Sequence, residues 1–370
     1  MSLALNISPK LIKSIVTMYN DSNRVFMEYI DNAIDSADKH FFNKESNSYT
    51  RPVEIRVWFQ NENHKNFIIR IQDNCAGIED ITKITSSLGD SEKANNSFLN
   101  GQFGFGMYSF MAVCNTMRVT SKVADKPNIR MIELHSELFN KKRAEEVNLG
   151  TILHTLSRSR NSWTTITLSN FIKDKYREIS VNGLKREIEK HFEIILSRRN
   201  IKIIIVKDDN PPVECKAFDY KVFDGPDKTI QIKQLEYTHS KRYSVLGQIK
   251  LGSSPVKIYL KVIKYKAIDR KPFFVIKGRR IADVADIKAF RTCSKSLIWS
   301  HPNVTGYIDA TGILEPTIAR NEFKNTRDSK ALFRTLLVYE DEIKAFVEEN
   351  MNNAVTGQFH KLESILSKAM

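Results

Sequence analysis

Three short stretches of the chain carry side chains able to do chemistry. The first is Glu28-Tyr29-Ile30-Asp31-Asn32-Ala33-Ile34-Asp35. On a helix turning about 100° per residue, Glu28, Asn32 and Asp35 fall within roughly 60° of one another, opposite Met27, Ile30, Ala33, Ile34 and Ala37. A polar helical face is by default only solvated. This one pairs a carboxamide, an oxygen ligand suited to a hard cation such as Mg2+, with a carboxylate one turn away that can orient a water. The second stretch, Asp73-Asn74-Cys75-Ala76-Gly77-Ile78, follows an apolar strand pattern ending at Gln72. Its aspartate can accept from an amine and its glycine lets backbone approach a flat ligand; the plain alternative is an Asp-Asn turn. The third, Gly101-Gln102-Phe103-Gly104-Phe105-Gly106-Met107-Tyr108-Ser109, opens onto a helical pattern and offers backbone N–H groups to an anion.

The elements that must position these groups follow from hydrophobic periodicity. Residues 8–19 and 23–43 read as helices, and 53–59 with 67–72 as one hairpin. A helical run is expected from Met107 to about Cys114, and strands over 119–121, 129–134, 151–156 and 164–168. An amphipathic helix spans 184–196 and an apolar strand 201–206. The pattern predicts a first domain over 1–210, a connector over 211–240 with some strand character, an α+β domain over 241–350, and a tail or short helix over 351–370. The glycine order of the third stretch, without an N-terminal βαβ unit, excludes a Rossmann reading, and the absence of GxxxxGK[ST] excludes a P-loop.

With 370 residues the chain is long enough for two cores, and its 41% hydrophobic and 27% charged composition argues against a disordered chain. No apolar run is long enough to span a bilayer and no signal-peptide pattern opens the sequence, so a cytoplasmic protein without membrane partners is expected. Four scattered cysteines, with no CxxC pair, argue against a zinc site or a disulfide framework. The net charge of +14 is concentrated: residues 241–300 hold 15 Lys and Arg against three Asp, a net of +12. Such a segment fits a nucleic acid or another acidic partner; the alternative is a set of strands with lysine-rich solvent faces.

The order and separation of the three stretches resemble the GHKL ATPase superfamily of gyrase, heat-shock 90 chaperones, histidine kinases and MutL, whose ATP site is the Bergerat fold. The stretch from Gly101 through Lys122 is similar to heat-shock 90 chaperones, and Gly306 to Phe323, with Pro316-Thr317, is also similar to the middle domain of that group and to microrchidia-type ATPases. The resemblance implies an α+β chain: a Bergerat-fold α/β sandwich followed by a smaller transducer-like α+β domain. It further implies that Glu28 is the general base at the γ-phosphate, Asn32 the Mg2+ ligand, Asp73 the acceptor of the adenine amino group, and Gly77 the residue against which the base lies. Asp35 and Ile78 join the ATP-contact set. Lys93 is implied to contact phosphate. Gly101, Gln102, Phe103, Gly104, Phe105, Gly106 and Met107 would form the phosphate cradle and lid, and Thr164 would hold a water near adenine. Arg320 would reach the γ-phosphate from the second domain, a structural ion pair being the alternative, with Lys324 a weaker candidate. Two departures stand out: Cys75 and Trp163 occupy positions where the family usually has glycine.

The resemblance implies a Mg2+-dependent ATP-hydrolysing clamp, slow or partner-stimulated, that closes and homodimerises on ATP binding. Three roles are distinguished: a clamp on nucleic acid through residues 241–300, a chaperone-like remodeller of a partner protein, and a non-catalytic ATP-switched scaffold in a multi-protein complex. A histidine kinase is not expected, because no phosphoacceptor helix pair precedes the first stretch. A type IIB topoisomerase subunit is a weaker fit, since the chain is short for one.

Overall fold

The computed structural model describes residues 16–17, 21–60, 64–81, 106–137, 153–223, 225–237, 247–251, 255–263, 270–317 and 321–369. The expected helix over 8–19 therefore lies almost entirely outside the described residues. The chain divides into two compact units, Met1–Phe218 and Asp219–Met370.

In the first unit, helix α1 (Ser22–Phe41) starts where the Asp21 carboxylate accepts from the Asn23 backbone N–H at 2.9 Å. This supplies one of the partners a helix start lacks. Its apolar stripe, Val25, Phe26, Tyr29, Ile30, Ala33, Ile34 and Ala37, is buried. Strands β1 (Phe42–Asn43), β2 (Ser48–Gln60), β3 (Ile68–Asp73), β4 (Cys114–Lys122), β5 (Asn128–His135), β6 (Leu153–Leu156), β7 (Trp163–Phe171), β8 (Arg199–Lys207) and β9 (Val213–Cys215) form one sheet in the order β6-β5-β4-β7-β3-β2-β8-β9, with β1 on β2. Only the β2–β8 pair is parallel among the described ladders of this sheet. Alternate residues point to the helical side, as a strand requires: Val53, Ile55, Val57 and Phe59 of β2, Ile69 and Ile71 of β3, and Ile201, Ile203 and Ile205 of β8 join α1 in one core.

Two helical expectations change. The run after Gly106 is a 3-10 helix, Gly106–Ala112, in which the Ser109 hydroxyl donates to the Gly106 carbonyl at 2.7 Å. After a short α2 (Lys173–Glu178), the single helix over 184–196 is replaced by two, α3 (Val181–His191) and α4 (Glu193–Leu196). Phe192 breaks the last two apart at φ −103°, ψ 20°, its side chain fully buried in the core. Core burial overrides helical continuity there.

The second unit contains a sheet of β10 (Asp227–Ile232), β13 (Val256–Val262), β14 (Phe273–Ile276), β15 (Arg279–Asp283) and β16 (Val304–Asp309), ordered β10-β13-β16-β14-β15, beside a hairpin of β11 (Gln234–Tyr237) and β12 (Gly247–Lys250). Residues 211–240 contribute β9 to the first sheet and β10 to the second. Besides α5 (Lys288–Arg291), the unit has α6 (Arg327–Ala369), a continuous 43-residue helix that takes in the segment expected as a tail or separate short helix. Glu340, largely buried, fixes it by accepting from Trp299 Nε1 at 2.8 Å and Ser294 Oγ at 2.6 Å. Among the described residues, no helix is long and apolar enough to cross a membrane.

Candidate functional site

Asp73 ends β3, and strand register places it opposite Thr164 of β7, which in turn lies opposite Ser121 of β4. One cross-strand row therefore carries a carboxylate and two hydroxyls. The Ser121 and Thr164 hydroxyl oxygens are 3.0 Å apart, Ser121 donates to the Trp163 carbonyl at 3.1 Å, and it accepts from the Ile78 backbone N–H at 2.8 Å. Ser121 thus ties the turn after Asp73 to two strands.

The turn itself is over-determined. Asp73 accepts from the Cys75 N–H at 2.8 Å, and Asn74 behaves as an extra strand partner, accepting from Glu54 N–H at 2.9 Å and donating to the Pro52 carbonyl at 3.0 Å. Arg51 donates to the Asn74 carbonyl while its guanidinium sits 4.1 Å from the centre of the Phe41 ring. Gly77 has φ +79°, and a Cβ there would stand 2.2 Å from the Lys122 carbonyl oxygen. Glycine is required by the packing of this turn on β4, whatever ligand lies above it. Burial pushes the Asp73 carboxyl up to about 6, against the opposing pull of the Cys75 and Thr164 hydrogen bonds and the Arg51 charge. A carboxylate short of solvent and still able to accept is suited to an amine donor.

Helix α1 joins this floor to the rest of the site. The Cys75 thiol is buried and donates to the Ala33 carbonyl at 3.3 Å, one residue from Asn32. Burial, more than the neighbouring Asp73 charge, raises the thiol well above its ordinary range, so Cys75 is a packing residue in place of the usual glycine. One turn before Asn32, Glu28 is mostly buried, with 12% of its side chain exposed. A Cβ on Gly106 would stand 2.8 Å from Glu28 Oε2, so the last glycine of the third stretch lies directly on the carboxylate. The Tyr29 hydroxyl donates to the Met107 carbonyl at 3.4 Å, and Ser109 Oγ lies 3.3 Å from the Tyr29 oxygen. Asp35 is buried, Asn32 is half-buried, and Thr164 is buried.

The structure therefore ties Asp73, Gly77, Ile78 and Thr164 to the end of β4 at Ser121 and Lys122, and brings Gly106 and Met107 to Glu28 and Tyr29 of α1. Lys93, Gly101, Gln102, Phe103, Gly104, Phe105 and Arg320 lie outside the described residues. Sequence reasoning assigned no role to Ser121, Asn74, Arg51, Tyr29 and Ser109. Ser121 and Ser109 fall inside the stretch similar to heat-shock 90 chaperones, but their partners are 43 and 80 residues away. Among the described residues no group of three or more His, Cys, Asp or Glu could hold a metal. The Asn32 amide and Glu28 carboxylate oxygens on α1 could contribute to the shell of an ion such as Mg2+, which keeps waters and phosphate oxygens as its other ligands.

Residues 19–165 match the family described as "Histidine kinase-, DNA gyrase B-, and HSP90-like ATPase". The chain is also similar to the chaperone protein HtpG of Orientia tsutsugamushi (strain Boryong), 32% identical over 126 residues. That similarity covers 30% of this chain and 20% of the length of HtpG. The matched residues contain Glu28, Asn32, Asp73 and Thr164 on the α1, β3 and β7 elements described above, so the similarity to histidine kinase-, DNA gyrase B- and HSP90-like ATPases lies in the first unit of the chain.

Proposed function

We propose that the chain is a Mg2+-dependent ATP-binding and ATP-hydrolysing clamp, closing and homodimerising on nucleotide and acting on nucleic acid. The observation that carries the nucleotide reading is the row Asp73–Thr164–Ser121 joined through Cys75 and Ala33 to the helix that bears Asn32 and Glu28. Asp73 accepts the adenine amino group, and Thr164, in the same row, holds a water beside it. Gly77 and Ile78 lie at the adenine edge, and Asp35 supports the same helix face.

Asn32 would hold the magnesium ion through its amide oxygen, and the ion supplies charge neutralisation at the phosphates. Glu28 orients the attacking water, and residues Gly101 to Met107, with Lys93, surround the phosphates and keep bulk water out. Arg320 adds a cation suited to spreading charge over phosphoryl oxygens. Isothermal calorimetry of Mg–ATP with the wild-type chain and Asp73→Asn tests the reading: heat with the first and little with the second supports it, and equal heats overturn it.

The nucleic-acid role rests on the +12 charge of residues 241–300. It requires that affinity for DNA or RNA fall steeply with salt. The similarity to a chaperone favours a second reading, remodelling of a partner protein. A pull-down with Glu28→Ala and ATP, divided into nuclease-treated and untreated halves, separates the two: a partner lost on nuclease treatment is nucleic acid, and one retained is protein.

A further inference from the structure

We infer that Arg24 is a positioning residue for the Glu28 carboxylate, holding it against the glycine at the end of the phosphate loop; the inference rests on Glu28 being the group that orients water. Arg24 lies one helical turn before Glu28, its Nε 4.0 Å from Glu28 Oε1. The other carboxylate oxygen, Oε2, faces Gly106. One carboxylate oxygen thus lies near a guanidinium on the same helix, and the other is packed against the Cα of Gly106.

Helix stability does not account for this arrangement. Arg24 occupies the first turn of α1, which contains no acidic residue. A cation there opposes the helix dipole, whose N-terminal end favours negative charge. The order is unfavourable too, because an i,i+4 pair stabilises a helix better with the acid N-terminal to the base. Side-chain exposures of 24% for Arg24 and 12% for Glu28 put the pair in a partly desolvated place, where charges act more strongly than on an open surface. Arginine also suits the task because its guanidinium is planar and stays charged, so it fixes direction as well as charge.

The test compares wild type, Arg24→Ala, Arg24→Met, Arg24→Lys and Glu28→Gln. Single-turnover hydrolysis of radiolabelled ATP with excess protein gives the chemical rate, and calorimetry gives the Kd for Mg–ATP. Arg24→Ala and Arg24→Met are expected to lower the rate about 10–100-fold, the range for a displaced catalytic group, with Kd within about twofold of wild type. Arg24→Lys keeps the charge and is expected to recover part of the loss. Arg24→Met keeps the apolar stem, so a variant that folds poorly through lost packing is distinguished from one that has lost the cation. Unchanged rates in both Arg24→Ala and Arg24→Met, or a loss accompanied by an equal weakening of Kd and a lower Tm in every Arg24 variant, would overturn the inference. Hydrolysis that survives in Glu28→Gln would instead sink the assignment of Glu28 itself.

Discussion

At the Asp73 end of the site the polar groups are held by backbone: strand register sets Asp73 against Thr164 and Ser121, and the following turn is fastened by Asn74 to β2 and by Ser121 to β4. At the Glu28 end the contacts come from side chains on one helix and from the start of a 3-10 segment, with an ion pair at 4.0 Å and a tyrosine hydrogen bond at 3.4 Å. The first end is a fixed floor, costly to distort because strand ladders set the row and the Asn74 and Ser121 side chains bond the turn to neighbouring strands. The second can rearrange by rotating a few side chains. A protein that must recognise one base and then change state around phosphate needs this division, since bistable parts are drawn from regions with fewer backbone constraints.

Substitutions that exchange the two behaviours test this contrast. Largest in effect, Glu28→Ala should reduce hydrolysis about 10²–10⁴-fold, roughly 3–5 kcal/mol of barrier, while Tm stays near wild type. An equal loss of stability would mean that the mobile end is also structural. Gly77→Ala should act in the opposite sense, destabilising the fold by about 3 kcal/mol or more, because the new Cβ meets the Lys122 carbonyl and the residue keeps φ +79°. A melt within 1 °C of wild type would show that the floor yields.

Next comes Asp73→Asn. With its carboxyl raised from the ordinary value near 4 to about 6, Asp73 contributes stability at low pH that is lost as pH rises through about 6. The variant lacks that titration, so its stability relative to wild type should increase by about 2.5 kcal/mol between pH 4 and pH 7.5, even as nucleotide affinity falls. Parallel stability–pH curves for the two proteins would contradict a desolvated carboxylate at this place. Smallest of the four, Ser121→Ala removes a hydroxyl shared by Ile78, Thr164 and Trp163 and should cost about 1–2 kcal/mol, seen in denaturant melts. A matching shift in nucleotide Kd would place Ser121 in the binding floor as well as in the fold.

Much of this contrast was legible in the chain. The stripe of α1 followed from helical periodicity, and the strands flanking Asp73 from alternation, because burial on one side of an element writes itself into sequence spacing. Cys75 was legible as a departure from the usual glycine, and its burial against Ala33 shows what that side chain does. The break at Phe192 was not, since a continuous amphipathic pattern gives no sign that a tertiary pocket will take one side chain out of helical phase. Nor was the requirement for Gly77: the sequence suggests room for a ligand, whereas the structure adds a backbone from 45 residues later in the chain pressed against it.

By itself, then, the sequence determined which residues are chemically competent, which faces are apolar and which family the first unit resembles, because composition, spacing and motif order are properties of the chain. Only the tertiary structure decided that Ser121 completes the row begun by Asp73, that Cys75 docks on the helix carrying Asn32, and that Arg24 and Gly106 flank the Glu28 carboxylate. All three join segments more than forty residues apart, and the last also depends on which rotamer a partly buried carboxylate adopts. Sheet register and packing, which no local pattern encodes, set all three.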